Sequence, residues 1–300
     1  MDMSLSTREG FVSFRGYEVW YRIVGDQDEP GRLPLLCLHG GPGFPHDYLE
    51  PLEAIATTGR RAIFYDQLGC GNSDDPNDPS MYTVDLYVEE IGVVRRALEL
   101  ERVHILGHSW GGQLAMEYAL TQASGLASLI LADTAASVPQ WVAEMRRLVA
   151  ELPPEVQQAI LKHEAAGTTD SPEYQEATRV FFRRHGSGRI HPRPEFLKRM
   201  ADKPGDRVYQ TMWGPSEFYV TGTLKHWDIT GRLGEIRVPT LIIAGRYDHA
   251  TPVLAETLYR RIHNSELVVF ENSGHFPHIE ETEHYLQVLD HFLHHVEVQA

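Results

Sequence analysis

Residue 109 is a serine set among glycines in the run Gly107-His108-Ser109-Trp110-Gly111-Gly112, directly after the apolar stretch VHIL. Serine is a poor strand residue and a weak nucleophile, so its place there needs a reason. The pattern G-x-S-x-G between a strand and a helix supplies one. A turn that sharp strains the serine backbone, needs small neighbours, and lifts the hydroxyl above the end of a sheet. The helix that follows (GGQLAMEYAL) points its first N–H groups toward a developing anion. As a bare pattern this is a Gly-rich turn with a surface serine; the flanking strand and helix give it weight.

A serine hydroxyl needs a base, and the base needs an orienting acid. With this kind of turn the chain order is serine, acid, histidine. The late strand LIIAGRYD ends on Asp248, and VVFENSGH delivers His275 after the next strand. Alone, Asp248 reads as a turn or capping aspartate beside Thr251-Pro252, and His275 is one of sixteen histidines. Together they fall at the carboxyl ends of parallel strands, where sites in open sheets gather. Two N–H groups would bind the oxyanion: that of Trp110, and that of Gly41 in the His39-Gly40-Gly41-Pro42-Gly43 loop. As a base His275 must be neutral, which places an activity rise near pH ~6.5. No metal or organic cofactor is expected. The histidines of the last helix (His284, His291, His294, His295) lack a ligand pattern such as HExxH and read as a solvated face.

The elements that must position these residues follow from patterning. Residues 10–25 alternate apolar and polar around Arg15-Gly16, a hairpin. Short continuous apolar runs then appear at 33–40, 62–67, 103–109 and 126–133, with helical patterns between them such as 84–100. This alternation predicts a parallel sheet covered on both faces. It stops after Asp133, gives way to helical patterns and polar connectors from Val138 to about Ile229, and resumes with strands in 238–248 and 266–275. A helix near 253–262 lies between them, and another over 281–296 closes the chain. One sheet domain interrupted by a helical insertion is the economical reading. Trp227-Asp228 marks the return to the core, and Asp66 organises the loop after its strand.

Composition sets the remaining bounds. At 42% hydrophobic residues the chain of 300 can build a large core, and a net charge of −15 argues against nucleic-acid and anionic-membrane surfaces. Cys37 and Cys70 are too few for a disulfide framework and read as free thiols in a reducing compartment. No signal peptide or spanning segment is visible. The expectation is a cytoplasmic protein, a monomer or small homo-oligomer.

HGGPG at 39–43, DQLGCGNS at 66–73, GHSWGG at 107–112, GPSEF at 214–218, the run GTLKHWDITGRLGEIRVPTLIIAGRYDHATP at 222–252 and SGH at 273–275 together resemble the proline iminopeptidase family. The resemblance implies an α/β-hydrolase fold: a mostly parallel sheet with helices on both faces and an inserted helical cap. It implies core segments 1–135 and 231–300 and a cap at 136–230. It also implies a serine aminopeptidase or amidase with Ser109, Asp248 and His275 as triad. The substrate would be a small peptide or amino-acid amide whose N-terminal residue, proline or a small apolar one, leaves through an acyl-enzyme. Glu217 of the GPSEF-type motif would hold the substrate ammonium. Relatives of the tricorn-interacting type carry a second glutamate directly after the triad aspartate, and His249 stands there in this chain. Amidases and hydrolases that remove an aminoacyl group share the scaffold. An esterase or lactonase on the same triad, and a non-catalytic receptor, are the rival readings.

Overall fold

Arg15 and Gly16, both at positive φ (53° and 87°), close a two-residue turn between β1 (Thr7–Phe14) and β2 (Tyr17–Val24). Left-handed conformations at both turn positions match the twist of an antiparallel pair, so the hairpin expected around this dipeptide is present. The computed structural model describes residues 5–299. The strands that follow are β3 (Leu35–Leu38), β4 (Ala62–Tyr65), β5 (Val103–His108), β6 (Leu126–Ala132), β7 (Thr240–Gly245) and β8 (Ser265–Phe270). They form one eight-stranded sheet in the order β1-β2-β4-β3-β5-β6-β7-β8. β2 runs antiparallel to β1 and to β4, and every later pairing is parallel.

Strand side chains alternate between two packed layers. Leu36, Ile63, Ile105, Leu129 and Ile242 pack on one face, with α1 (Val84–Ala97), α2 (Trp110–Leu120) and later α8 (Pro252–Arg261). Leu35, Phe64, Leu106, Ile130 and Ile243 pack on the other, under the 3₁₀ segment His46–Thr58 and the C-terminal helix Thr282–Gln299. Burial on both faces is why these strands are apolar throughout rather than alternating.

Between β6 and β7 the chain builds α3 (Val138–Val149), α4 (Pro154–Ala166), α5 (Pro172–His185), α6 (Glu195–Asp202) and α7 (Asp206–Met212). After β8 come the short α9 (Pro277–Glu280) and α10 (Thr282–Gln299). The two crossings into and out of this insertion are laced together. Val138 N donates to Trp227 O, Ile229 N to Ala136 O, and Ser137 Oγ to Asp228 Oδ2. Trp227 Nε1 donates to Glu117 Oε1 at 2.7 Å on α2, so the insertion is seated on the helix that follows the serine turn. No described helix is long and apolar enough to cross a membrane. Of the segment expected at 1–135, residues 1–4 lie outside the described residues.

Candidate active site

Ser109 sits between β5 and α2 at φ 56°, ψ −121°, a strained backbone for a non-glycine residue. Two bonds hold the turn from β6 and the loop after it: Ser109 N donates to Ala132 O at 2.9 Å, and Thr134 Oγ1 donates to Ser109 O at 2.7 Å. Gly107 is required by close approach, since a Cβ there would lie 2.1 Å from Gly111 O. The sharp, strained turn expected at Ser109 is what the backbone adopts.

His275 and Asp248 meet at the ends of β8 and β7. His275 Nδ1 donates to Asp248 Oδ1 at 2.7 Å, which leaves Nε2 as the basic nitrogen. Ala250 N donates to the same Oδ1 at 2.9 Å. Ser109 and His275 line one cavity. No hydrogen bond joins their side chains here, and in free enzymes that contact commonly tightens only with substrate bound. Burial, with His278 nearby, pushes the His275 pKa down to about 3, well below the 6.5 expected from an ordinary histidine. The imidazole is therefore neutral far into the acid range.

Gly41 reaches φ 114°, and a Cβ on it would lie 2.4 Å from Gly43 N, so only glycine fits this bend. Neither the Gly41 nor the Trp110 N–H donates to a protein acceptor. The loop carrying Gly41 is pinned on both sides. Gly40 N donates to Tyr48 Oη at 2.7 Å, and Tyr48 Oη in turn donates to His108 Nδ1 at 3.0 Å. His108 Nε2 donates to the carbonyl of His275 at 2.8 Å. One chain of hydrogen bonds thus runs from the Gly40-Gly41 loop through His108 of the serine turn to the backbone of His275. On the far side Gln67 bridges Trp110 Nε1 and His39 O, at 2.8 and 2.9 Å. Asp66 accepts from His46 and Asn72 and shapes the loop after β4, as expected.

Above the serine lies a cavity of about 400 Å³, roofed by the helical insertion. Its walls are largely apolar, with Phe44 and Tyr209 stacked at 5.5 Å and Phe182 and Phe276 beside them. Glu217 and His249 both line it. Glu217 Oε1 accepts from Tyr209 Oη at 2.8 Å, and no cation pairs with it. Burial lifts its pKa to about 7. His249 Nδ1 donates to His185 O at 3.0 Å, so Nε2 is a neutral acceptor, and burial beside His275 holds its pKa near 3. Glu144 is engaged by Arg147 and Thr251, and Glu173 by Lys162 and His163; neither lines the cavity. Asp206, at the start of α7, is a second carboxylate on the lining, exposed at the cavity edge.

Asp248, His249 and His275 have potential ligand atoms within 4.8 Å of one another. Within that group Asp248 Oδ1 already accepts from His275 Nδ1 and Ala250 N. The last-helix histidines are exposed, and Cys37 and Cys70 are buried free thiols. Sequence reasoning missed Tyr48, His108 and Gln67. His108 and Gln67 sit within the quoted motifs and Tyr48 outside them, and nothing in local spacing says that a tyrosine after one strand reaches a histidine at the end of another.

The chain is similar to known proteins along nearly its whole length. The family described as alpha/beta hydrolase fold matches residues 34–282. A proline iminopeptidase of Clostridium botulinum is 43% identical over 287 residues, 95% of this chain and 97% of that protein. The solved structure of VinJ superposes with a TM-score of 0.90 at 39% identity, covering 96% of this chain and 99% of the other. That of a proline iminopeptidase from Mycobacterium smegmatis gives 0.89 at 39% identity, covering 97% and 99%.

Proposed function

The chain belongs to the proline iminopeptidase family of α/β-hydrolases, and from that premise we propose that Ser109, His275 and Asp248 form the triad of a serine aminopeptidase that releases N-terminal proline or a small apolar residue from short peptides or amino-acid amides. The observation that carries this reading is the coexistence, in one cavity, of a strained serine, a neutral buried histidine paired with a buried aspartate, and an unpaired carboxylate at Glu217.

Each group has a task set by its surroundings. Ser109 Oγ attacks the carbonyl of the N-terminal residue while His275 Nε2 takes its proton. The imidazolium so formed is stabilised by Asp248, which also keeps the hydrogen on Nδ1. The N–H groups of Gly41 and Trp110 receive the oxyanion as the carbonyl becomes tetrahedral. Collapse breaks the C–N bond, and His275 returns its proton to the leaving amine. Water, deprotonated by the same imidazole, then attacks the acyl-enzyme and frees Ser109. Glu217 meets the ammonium of the bound residue. A carboxylate buried without a partner is costly, and a substrate cation supplies that partner, so binding favours a free N-terminus over a blocked one.

The decisive comparison is a prolyl or alanyl arylamide against its N-acetylated counterpart. Hydrolysis of the free-amine compound with little turnover of the blocked one is the expected result. Equal rates on both would move the esterase or lactonase reading ahead.

A further inference from the structure

Behind the triad two carboxyl oxygens have no partner: Oδ2 of Asp248 and Oδ2 of Asp133. Asp133 follows β6, the strand beside β7. Its N donates to Ile243 O at 2.9 Å, and its Oδ1 accepts from Gly245 N at 3.0 Å. Asp248 N donates to the carbonyl of the same glycine at 3.2 Å. Gly245 therefore ties both aspartates to one point, one through each of its backbone groups. Asp133 is fully shielded from water and Asp248 is 1% exposed. Their side chains are within hydrogen-bonding reach of each other.

Two ionised carboxylates cannot share a dry site of this kind, so one of the two carries a proton. We propose that Asp133 is a neutral carboxylic acid that donates a hydrogen bond from Oδ2 to Oδ2 of Asp248, and so is a positioning residue for the triad.

The surrounding donors decide which of the two holds the proton. Asp248 Oδ1 receives His275 Nδ1 and Ala250 N. Asp133 receives one amide, from Gly245. Donors stabilise the ionised form, so the charge stays on Asp248 and the proton on Asp133. His108 Nε2 lies 3.8 Å from Asp133 Oδ2, but its hydrogen goes to the His275 carbonyl. Burial and the like charges of Asp248 and Glu280 push the Asp133 carboxyl far above the usual carboxylate range. With both of its oxygens occupied, the Asp248 carboxylate is fixed in plane with Oδ1 aimed at His275. The added donor also lowers its basicity, so the imidazole proton is not drawn off.

The inference rests on Asp248 being the triad acid, and the test separates the two. Asp133→Gly removes the donor while tolerating the φ of 52° at this position. It is expected to lower kcat about 10- to 100-fold with KM nearly unchanged, the scale of one hydrogen bond to a charged group. Asp133→Asn keeps a neutral donor and an acceptor for Gly245 N, and is expected to restore most of kcat with the parent pH profile. Asp248→Asn alone is expected to lose about 10⁴-fold, and adding Asp133→Gly to it should cost little more. An infrared difference spectrum of parent minus Asp133→Asn at neutral pH should show a protonated carboxyl, and this readout stands even if the glycine variant fails to fold. The proposal is overturned if the Asn variant is as impaired as the Gly variant, if the Gly variant keeps parental kcat, or if no protonated carboxyl is seen. Full activity in Asp248→Asn would instead overturn the triad reading itself.

Discussion

The rings of His249 and His275 lie 4.0 Å apart, centroid to centroid, with their planes tilted by 36°. Where relatives of the tricorn-interacting type carry a carboxylate, this protein thus places a second imidazole against His275. In the proposed mechanism His275 becomes a cation when it takes the serine proton, and a second charged ring beside it would oppose that step. His249 avoids this by staying neutral, buried against Trp141 and Phe182 with its one hydrogen given to the cap.

Replacing that ring is informative. His249→Glu brings a carboxylate against His275 and into the cavity that Glu217 lines. An adjacent negative charge favours the imidazolium, so the His275 pKa rises and the acid limb of kcat/KM moves to higher pH. The same charge adds an acceptor for a substrate ammonium, so KM for a prolyl amide falls. Steady-state kinetics across pH read both effects, and an unmoved acid limb would separate residue 249 from the base.

The pH dependence of the parent enzyme should differ between substrate classes. His275, with a pKa near 3, is already neutral above about pH 5, so a neutral ester should show a flat kcat/KM from there to about pH 8. A free-amine substrate needs Glu217 ionised, and Glu217 titrates near 7. Its kcat/KM should climb through that value and fall again as the substrate amine loses its proton. Parallel profiles for the two classes would contradict this assignment of Glu217.

Glu217→Gln should raise KM for free-amine substrates about 10- to 100-fold and leave neutral esters nearly unchanged. Stability offers a second reading. A carboxyl whose pKa is raised on folding holds its proton to higher pH folded than unfolded, so its contribution to stability is present at low pH and lost as pH rises from about 4.5 through about 7. Thermal melts should therefore show the Gln variant stabilised relative to the parent at about pH 8 and little changed at about pH 4. Equal damage to both substrate classes would make Glu217 structural.

Ser109→Ala should abolish labelling by an organophosphonate and reduce kcat by several orders of magnitude. About 10³-fold over water would remain, from the oxyanion donors and binding. Retention of more than a few per cent of activity would place the nucleophile elsewhere.

The sheet, the hairpin and the helical insertion were legible in the sequence because each rests on local signals. Apolar runs such as VHIL and LIIA must be buried on both faces, Arg15-Gly16 can close only a tight turn, and the strained position of Ser109 requires its flanking glycines. The expected order Ser109, Asp248, His275 came from the same pattern, since each lies just after a strand whose direction the pattern fixes. What local pattern cannot carry is the state of a buried group. An isolated histidine suggests a base titrating near 6.5, and only its dry surroundings move it to about 3. Asp133 reads as the last residue of a strand until β6 and β7 lie side by side and Gly245 holds it beside Asp248. Tyr48 and His108, sixty residues apart, meet only in the folded chain. Secondary structure follows from periodicity along the chain, whereas protonation and tautomer follow from desolvation and from neighbours that the tertiary structure alone selects.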